Sequence, residues 1–352
     1  MDKTDPQIVE KSKNDDGVEP DTRKRQRVDD KEYDYVQNIL VMNQKYFYNL
    51  QQGTLHKLAR EDSETIFVKK FNNFIKSQLI NLVCFTCKPK GLCDQFNNSN
   101  LSILDLCCGR GGDLGKWAKN GIAHYVGVDL SEALVEEAKR RYTESHVNRG
   151  GGQQRGGRGG ANQQVFKAVF MVNDAANPHD PLDKVLKHEL VLQDIKDKIM
   201  FDIVSTQFAI HYMFESQKKL GDYLKNVSDR LEPGGFFIGT TVDSDELIYR
   251  VRQQGSKDNT IQNDFMTIIL PQDTFSKDAS PFGLEYFFYL KEAIGKEVSA
   301  EDFVKPKLVD EYLVIFDVLV KEAQKYGLKL VIKKNFRQFY DDMTSEMPHS
   351  LK

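Results

Sequence analysis

A glycine-rich stretch between residues 102 and 129 carries the side chains with the clearest chemical potential. Residues 102–106 form a short apolar run typical of a strand buried on both faces, and Gly109, Gly111 and Gly112 follow it. Glycines at this spacing let the backbone turn tightly and approach a ligand. A second apolar run ends at Asp129, where a carboxylate can accept both hydroxyls of an adenosine ribose. The stretch predicts half of a nucleotide-binding α/β unit that binds an adenosine-containing cofactor.

Two further carboxylates flank the turn and help to choose among adenosine cofactors. A dinucleotide site begins its turn with a glycine and places a pyrophosphate over the following helix, but this chain has Cys107 at that position. Asp105 and Asp113 would repel a pyrophosphate and suit a cofactor that carries positive charge. The pattern favours S-adenosylmethionine, a sulfonium with an amino-acid tail. The turn by itself leaves open a tight strand-to-helix loop with no ligand.

Length and composition bound the class of protein. The chain has 352 residues, 40% of them hydrophobic, and a net charge of -3. It is long enough to bury a full core, and we expect one large α/β domain with appendages. The charge argues against nucleic-acid binding through overall attraction, so any RNA contact needs a local basic cluster or a pocket. No apolar run approaches the ~20 residues of a membrane span, and the hydrophilic N-terminus is not a signal peptide. We expect a soluble intracellular protein without a membrane partner.

The five cysteines indicate a reducing compartment, because their number is odd and Cys107 and Cys108 are adjacent at the turn. Cys84, Cys87 and Cys93 are spaced like part of a zinc knuckle but have no fourth ligand nearby. We therefore predict no metal site.

Two segments have compositions that do not favour a packed core. Residues 1–32 hold no aromatic residue and many charges, which predicts a disordered tail. Its RKRQR cluster at 23–27 is either a nuclear import signal or a solvated run of charge. Residues 146–164 read as a loop insertion whose glycine and arginine residues, RGGGQQRGGRGG at 149–160, remain flexible and allow nonspecific RNA contact.

The remaining chain alternates between strand and helix patterns. A helical preface is expected from residue 33, with clear helical periodicity over 66–85. Asp174 and Gln207 end two later strands, so four strand ends are expected to converge on one ligand crevice. The other expected strands span 125–128, 165–172, 201–206, 236–241, 265–270, 284–290 and 328–333. Two further helices are expected to begin at Asp113 and Ser131, and two more to span 218–231 and 308–326. A turn is expected at 233–235.

Several segments, in order, resemble motifs of the eukaryotic mRNA cap guanine-N7 methyltransferases. The two most specific are FNNFIKS at 71–77 and QFAIHYMFES at 207–216. The others are LDLCCGRGGDLGKW at 104–117, LEPGGFFIGTT at 231–241, GLEYFFYL at 283–290 and DEYLVIF at 310–316. The resemblance covers roughly residues 33–340 and leaves 341–352 as the C-terminal end. It implies a doubly wound, Rossmann-like class I S-adenosylmethionine-dependent methyltransferase fold with a helical N-terminal preface.

The resemblance also implies site residues. Asp129 would hold the ribose of the cofactor, Asp174 its adenine amino group, and Phe208 would lie beside the guanine of the cap. The full cofactor set is Lys76, Cys107 (through its backbone), Gly109, Asp129, Asp174, Gln207 and Tyr212. The cap set is Asn72, Asn73, Arg110, Lys116, Arg141, His211 and Glu311.

The implied reaction is transfer of a methyl group to N7 of the guanine cap of mRNA, in the nucleus. N7 has a free lone pair and needs no general base, so no residue is predicted to act as acid or base, and His211, Tyr212, Phe208 and Glu311 would position the substrates. The expected partners are 5'-capped mRNA and other capping or transcription machinery, with neither DNA nor a membrane. The alternatives are an RNA-binding scaffold or inactive truncated homologue with a degenerate domain, and a small-molecule methyltransferase.

Two departures from the family pattern lead to further expectations. Cys107 replaces the usual glycine, which is tolerable if its φ is negative and only its backbone meets the cofactor. The family continues to a final strand, with a cap-contacting tyrosine, for which this chain has no counterpart. We therefore expect an incomplete enzyme with weak or absent activity and poor solubility. Segments 236–241 and 328–333 would expose unpaired backbone groups unless they pair directly or another segment of the chain fills the gap between them.

Overall fold

A computed structural model describes most of the region in which the motifs lie. The described residues are 64–87, 101–150 (for 146–150 the backbone only), 166–177, 200–254, 259–270, 276, 279–291 and 311–345. All of them belong to the second of two units, Asn43–Lys352. The predicted tail, the RKRQR cluster, the preface before residue 64 and most of the Gly/Arg-rich insertion lie outside the described residues.

Five parallel strands form the sheet that carries the site, in the order β3-β2-β1-β4-β5. Their bounds are Ser102–Leu106 for β1, His124–Asp129 for β2, Lys167–Val172 for β3, Phe201–Gln207 for β4 and Leu231–Thr240 for β5. Each of the five was predicted from an apolar run, and each is confirmed within a few residues. The strand order reverses between β1 and β4, where α/β sheets bind their ligands.

Helices cover both faces of this sheet, as the doubly wound prediction requires. The bounds are Ile66–Cys87 (α1), Leu114–Lys119 (α2), Glu132–Gly150 (α3), Gln217–Ser228 (α4), Ser244–Gln254 (α5), Phe316–Gln324 (α6) and Phe336–Ser345 (α7), with a 3-10 helix over Ile210–Glu215. Side chains alternate along β1, so Leu104 and Leu106 join the core with α4 and α6, while Ile103 joins the core with α1, α2 and α3. The α/β doubly wound fold is confirmed.

The glycine turn is left-handed at three positions, and one of them is not a glycine. Cys107, Gly109 and Gly111 have φ values of 58°, 54° and 69°. The condition set for tolerating a cysteine here, a negative φ, is therefore not met. The chain must leave β1 and reverse towards α2 within a few residues, and the Cys108 amide donates to the Val128 carbonyl at 2.9 Å to fix that course. A side chain in this conformation costs roughly 1–2 kcal/mol.

The Pro233-Gly234-Gly235 segment was predicted to be a turn and instead lies within β5. Leu231 pairs with Phe201 and Phe236 pairs with Ile203, so the residues between them bulge out of the ladder. Gly234 has a φ of 84°, which suits the bulge. A turn-forming sequence is thus accommodated because strand pairing continues on both sides of it.

A second, antiparallel sheet follows, in the order β6-β7-β8-β9. Its strands are Thr260–Gln262, Met266–Ile269, Glu285–Leu290 and Glu311–Tyr312. The two middle strands were predicted, whereas β6 and β9 were not. The predicted helix over 308–326 is wrong at its start, because Glu311 and Tyr312 pair with β8 and α6 begins only at Phe316. The apolar run fits either pattern, and the tertiary pairing decides.

The predicted strand over 328–333 is also wrong. Leu330, Val331 and Ile332 are 47%, 69% and 55% exposed, and no strand lies beside them within the described ranges. An extended segment becomes a strand only when a neighbour supplies hydrogen bonds. This segment and β5 do not pair directly; with α1 they border an apolar groove of about 780 Å³. Among the described strands, β5 lies at one of the two edges of its sheet.

Two predicted boundaries fall inside helices. α3 reaches Gly150, so the insertion predicted to begin at residue 146 starts as helical backbone. α7 spans Phe336–Ser345 and crosses the predicted domain end at 340. Within the described ranges, no helix is long and apolar enough to span a bilayer.

The left-handed backbone at Cys107 yields a stability prediction. Cys107→Gly relieves the strain but loses the packing of a half-buried thiol and adds freedom to the unfolded chain, so the free energy of unfolding should change by less than about 1 kcal/mol. Cys107→Val places a β-branched side chain at the same φ and should destabilise by about 1–3 kcal/mol. Urea unfolding of both variants checks this, and equal stabilities would contradict the role given to backbone strain.

Candidate active site

The predicted site residues cluster at the carboxyl ends of the strands, around the point where β1 and β4 diverge. The Asp129 carboxylate ends β2 and is buried beside the glycine turn. Its Oδ2 accepts the Gly109 amide at 2.8 Å, and its Oδ1 accepts the Ser131 amide at 2.9 Å. Burial raises the pKa of Asp129, and these two amides oppose the rise. A carboxylate can accept about four hydrogen bonds, so acceptor capacity is left beyond the backbone amides, which fits a hydroxyl ligand.

Cys107 lies close to two carboxylates, Asp129 at the end of β2 and Asp174 just beyond β3. Burial raises the pKa of the Cys107 thiol, and the charges of Asp129 and Asp174 raise it further. The Asp174 carboxylate accepts the Ala176 amide at 2.9 Å, which fixes the side chain just beyond β3. Since the thiol stays protonated between two carboxylates, Cys107 has no nucleophilic character in this site.

Asp105 is a buried carboxyl at the end region of β1. The Tyr125 hydroxyl donates to its Oδ2 at 2.8 Å. Burial, and then the nearby charge of Asp113, raise the pKa of Asp105 to about 7. The group is therefore substantially protonated near neutral pH, and its negative charge is weak.

Asp113 has the opposite character, because two lysines share its carboxylate. Lys76 Nζ lies 2.9 Å from Asp113 Oδ1, and Lys116 Nζ lies 2.7 Å from the same oxygen. Burial would raise the pKa of Asp113, but the two ammonium groups outweigh it and lower the pKa. Lys116 also donates to Asn73 Oδ1 at 3.0 Å and to the Gly112 carbonyl at 3.1 Å. Residues from α1, the glycine turn and α2 are thereby joined.

This arrangement corrects the charge argument made from the sequence. Two ionised carboxylates were expected to flank the turn and to favour a cation. Instead Asp105, with a pKa of about 7, is only partly ionised near neutral pH, and Asp113 is matched by two lysines, so these two carboxyls carry much less negative charge than expected. Positive charge here suits the carboxylate of an amino-acid tail rather than a sulfonium.

Arg110 and Arg141 lie close enough for their charges to interact, and this pair is called the cationic wall below. Burial lowers the pKa of Arg110, and the like charge of Arg141 lowers it further. Glu137, one turn before Arg141 on α3, accepts from Arg141 Nε at 2.7 Å and from Arg140 Nε at 2.8 Å. Hydrogen bonds from Arg140 and Arg141 lower the pKa of Glu137 to about 2. Glu137 thus holds Arg141 close to Arg110, and the pair suits an anion.

The end of β4 is held by a single buried side chain of β5. Thr240 Oγ1 donates to Gln207 Oε1 at 3.0 Å, while Gln207 Nε2 donates to Ser205 Oγ at 3.1 Å. The Phe208 amide donates to the Thr240 carbonyl at 2.9 Å. Phe208 has a φ of 58°, and these contacts hold it there. A bulky residue in this region marks stored strain, which is common at functional sites.

His211 and Glu311 lie close together although one follows the parallel sheet and the other belongs to the antiparallel sheet. The 3-10 helix after β4 carries His211, and β9 of the antiparallel sheet carries Glu311. Both side chains are 7% exposed, and His211 Nε2 lies 3.8 Å from Glu311 Oε1, too far for a hydrogen bond. Neither ring nitrogen of His211 has a hydrogen-bond partner in the described part of the chain. Burial lowers the pKa of His211 against the opposing charge of Glu311, so the imidazole is neutral.

The remaining predicted residues lie beside these groups. Asn72 is half-buried on α1, next to Asn73. The Tyr212 ring packs edge-on against His211, with 4.1 Å between ring centroids. Lys76 Nζ lies 5.9 Å from the centre of the Phe208 ring, which connects the lysine pair with the end of β4.

Three supporting residues were not found from the sequence. Asp113 was noted only as a charge, whereas it binds two site lysines. Glu137 precedes Arg141 by one helical turn, a spacing that does signal an ion pair. Thr240 lies at the same sheet edge as Gln207, but a threonine at the end of a strand carries no signal of its own.

The strand order, the glycine turn and the acidic residue after β2 together define a Rossmann-like, nucleotide-binding α/β enzyme domain. Residues 31–351 match the family described as "mRNA (guanine-N(7))-methyltransferase domain", and the chain belongs to this family. The resemblance noted in the motifs is confirmed.

Three relatives show the extent of the similarity. The mRNA cap guanine-N(7) methyltransferase of Schizosaccharomyces pombe is 31% identical over 289 residues, which cover 82% of this chain and 67% of the relative. The protein of the same name from Drosophila melanogaster is 33% identical over 294 residues, which cover 83% of this chain and 60% of that relative. The mRNA cap guanine-N(7) methyltransferase 1 of Arabidopsis thaliana is 32% identical, with 80% and 64% covered. The chain thus aligns with between 60% and 67% of the length of these relatives.

The raised pKa of Asp105 predicts how stability depends on pH. The folded chain, with a pKa of about 7, binds this proton more tightly than the unfolded chain, with an ordinary value of 3.8. The free energy of unfolding should therefore fall as pH rises from about 4 to about 7 and then level off, at ~1.4 kcal/mol per unit of pKa difference. Asp105→Asn still accepts the Tyr125 hydroxyl but does not titrate, so it should lose this part of the slope.

Urea unfolding of the wild-type chain and the variant at pH 5 and pH 8 measures the difference. An identical pH dependence in both proteins would show that Asp105 does not hold the extra proton.

Proposed function

We propose that this protein transfers a methyl group from S-adenosyl-L-methionine to N7 of the guanine cap at the 5' end of mRNA. Family membership supports the reaction class. The observation that carries the assignment to a site is the buried pair of His211 and Glu311, since the imidazole nitrogens are without partners among the described residues and face a carboxylate. Buried polar groups of this kind are costly unless a ligand satisfies them.

The cofactor would be held at the ends of β1 to β4. S-adenosylmethionine, when bound, supplies an activated methyl group on a sulfonium. The Asp129 carboxylate has the acceptor capacity for the ribose hydroxyls, and Asp174 lies just beyond β3 where it can accept from the adenine amino group. Lys76, fixed by Asp113, places positive charge where the carboxylate of the amino-acid tail would lie.

Guanine would be recognised by the His211 and Glu311 pair. The Glu311 carboxylate can accept hydrogen bonds from the N1 and N2 edge of the base, and it offsets the positive charge that develops on the ring during methylation. The neutral His211 offers one donor and one acceptor. Phe208 supplies an aromatic wall beside these groups.

The triphosphate bridge would lie along the cationic wall. Arg110 and Arg141 present two guanidinium groups, and Glu137 keeps the second of them in place. Lys116 already donates to Asp113, Asn73 and the Gly112 carbonyl, so it contributes positive potential and orders its neighbours. Guanidinium groups suit phosphate because they donate two parallel hydrogen bonds.

The reaction needs orientation rather than proton transfer. N7 of guanine carries a free lone pair, so no residue has to remove a proton before attack. Alignment of two bound reactants can contribute ~7–11 kcal/mol to rate enhancement. The rigid supports found here, Asp113 for Lys76 and Thr240 for Gln207 and Phe208, serve such alignment.

A methyl-transfer assay with labelled cofactor tests the proposal. GpppN-capped RNA should be labelled at N7 of guanine, and uncapped RNA of the same sequence should not. Labelling of small amines without labelling of caps would favour a small-molecule methyltransferase. Absence of any transfer, together with RNA binding, would favour the scaffold.

Paired variants test the two halves of the site. Asp129→Asn keeps an acceptor for the Gly109 amide but removes the charge, so the affinity for S-adenosylmethionine should fall by ~1.5–3 kcal/mol, or roughly 10- to 150-fold. Glu311→Gln is nearly isosteric and should leave cofactor affinity unchanged while raising KM for capped RNA. Calorimetry and steady-state kinetics measure these effects, and the same pattern in both variants would argue against separate subsites.

We also propose nuclear localisation through the RKRQR cluster at 23–27. Replacing the four basic residues of this cluster by alanine in a fluorescently tagged chain should move the protein to the cytoplasm without changing methyl transfer in vitro. A nuclear pattern that survives the replacement would exclude this cluster as the import signal. Association with other capping or transcription machinery stays a prediction.

A further inference from the structure

We propose that Phe336 of α7 is a positioning residue that fixes the ring of Phe208 in the substrate pocket. The inference rests on the proposed function for its kinetic consequence, but the contact itself is a property of the fold. No motif pointed to Phe336, because it lies more than 120 residues beyond Phe208 in the chain, at the start of a helix that follows the sheet.

The backbone of Phe208 is held in an unfavourable conformation. Its φ of 58° is left-handed, and its amide donates to the carbonyl and to Oγ1 of Thr240, at 2.9 and 3.2 Å. These bonds fix where the Cα–Cβ bond points, but they do not fix the rotation of the side chain. A phenyl ring on such a backbone takes a single orientation only if neighbours hold it.

Within the described residues, Lys76 and Phe336 contact that ring. Lys76 Nζ is 5.9 Å from its centre, within the range of a cation–π interaction. The Phe336 ring meets it edge-on, with centroids 5.9 Å apart and an interplanar angle of 80°. T-shaped aromatic pairs are favourable and directional, so the Phe336 ring restricts the rotation of the Phe208 ring.

Phe336 is itself anchored to α1. Its ring lies 6.3 Å from that of Phe71, and one turn later Tyr340 packs against Phe71 and Phe74 at 5.9 and 5.1 Å. Phe339 is buried and provides a further anchor for α7. The α7 helix is therefore attached to α1 by several rings, and within the described chain Phe336 is the α7 ring that reaches Phe208.

This geometry has a functional consequence. The Phe208 ring centre is 5.9 Å from Lys76 Nζ, and Phe208 precedes His211 by three residues in the chain. A ring free to rotate there would loosen the alignment of the two reactants, and small misplacements cost up to about 100-fold in rate. Cofactor affinity should be little affected, because the ring contacts of Phe336 are with Phe208 and Phe71, and neither belongs to the predicted cofactor set.

The test compares two matched variants of α7. Phe336→Leu and Tyr340→Leu each remove one aromatic ring and keep apolar bulk, but only the first breaks the contact with Phe208. We expect Phe336→Leu to lower kcat on capped RNA at least tenfold with unchanged cofactor affinity, while Tyr340→Leu stays within about threefold of wild type. Combining Phe336→Leu with Phe208→Ala should be no worse than Phe208→Ala alone. Equal losses in both α7 variants, or additive losses in the double variant, would overturn the proposal.

A second measurement does not depend on activity. A Phe208→Trp reporter gives a fluorescence signal at the site, and the natural Trp117 is fully buried, so acrylamide should quench it poorly. Adding Phe336→Leu should raise acrylamide quenching of the reporter several-fold, and adding Tyr340→Leu should not. Unchanged quenching with Phe336→Leu would refute the positioning role. If quenching responds but the wild-type chain does not methylate capped RNA, the proposed function fails and the contact stands.

Discussion

The candidate site depends on the buried ion pairs of Asp113. This carboxylate, at the start of α2, lies within 2.9 Å of two ammonium groups, one from α1 and one from α2. Removal of one partner from a buried pair typically costs about 3–5 kcal/mol, because a charge is left without compensation. The glycine turn contributes the backbone, but Asp113 ties that backbone to the helix that precedes the sheet. Lys76 and Asn73 of α1 become part of the site through this contact.

A second feature of the molecule is its tolerance of unfavourable local states at the strand ends. Cys107 and Phe208 both adopt a left-handed backbone without being glycines. Asp105 is a carboxyl with a pKa raised to about 7, and His211 is buried with unpaired nitrogens in the described chain. Each of these states reduces stability by a modest amount, and the two packed faces of the sheet compensate. These states are concentrated near the carboxyl ends of the parallel strands. Such a concentration is typical of a binding site and not of a hydrophobic core.

The antiparallel sheet positions Glu311 beside His211. Pairing of Glu311 with Tyr286 fixes β9 against β8, and β9 in turn brings Glu311 to His211. The parallel sheet alone would supply a pocket for an adenosine cofactor, as in many α/β enzymes. The added sheet supplies a buried carboxylate, Glu311, which the parallel sheet does not contain. In the proposed function, this carboxylate would meet the guanine edge.

The sequence by itself determined the parallel sheet, the glycine turn and the family. Buried strands need continuous apolar runs, and tight turns need glycines, so the local sequence is enough to predict these elements. The position of Asp129 at the end of a strand could therefore be predicted from the pattern alone. The pairing of His211 with Glu311 was available only through the resemblance. Tertiary structure decided the rest. Whether residues 311–312 join a helix or a strand depended on the partner strand β8, and segment 328–333 forms no strand because none lies beside it among the described residues. In the sequence, Asp105 and Asp113 are two equivalent carboxylates. In the structure, burial raises the pKa of Asp105, whereas two lysines lower the pKa of Asp113. The two differ because a pKa depends on neighbours that only folding brings together.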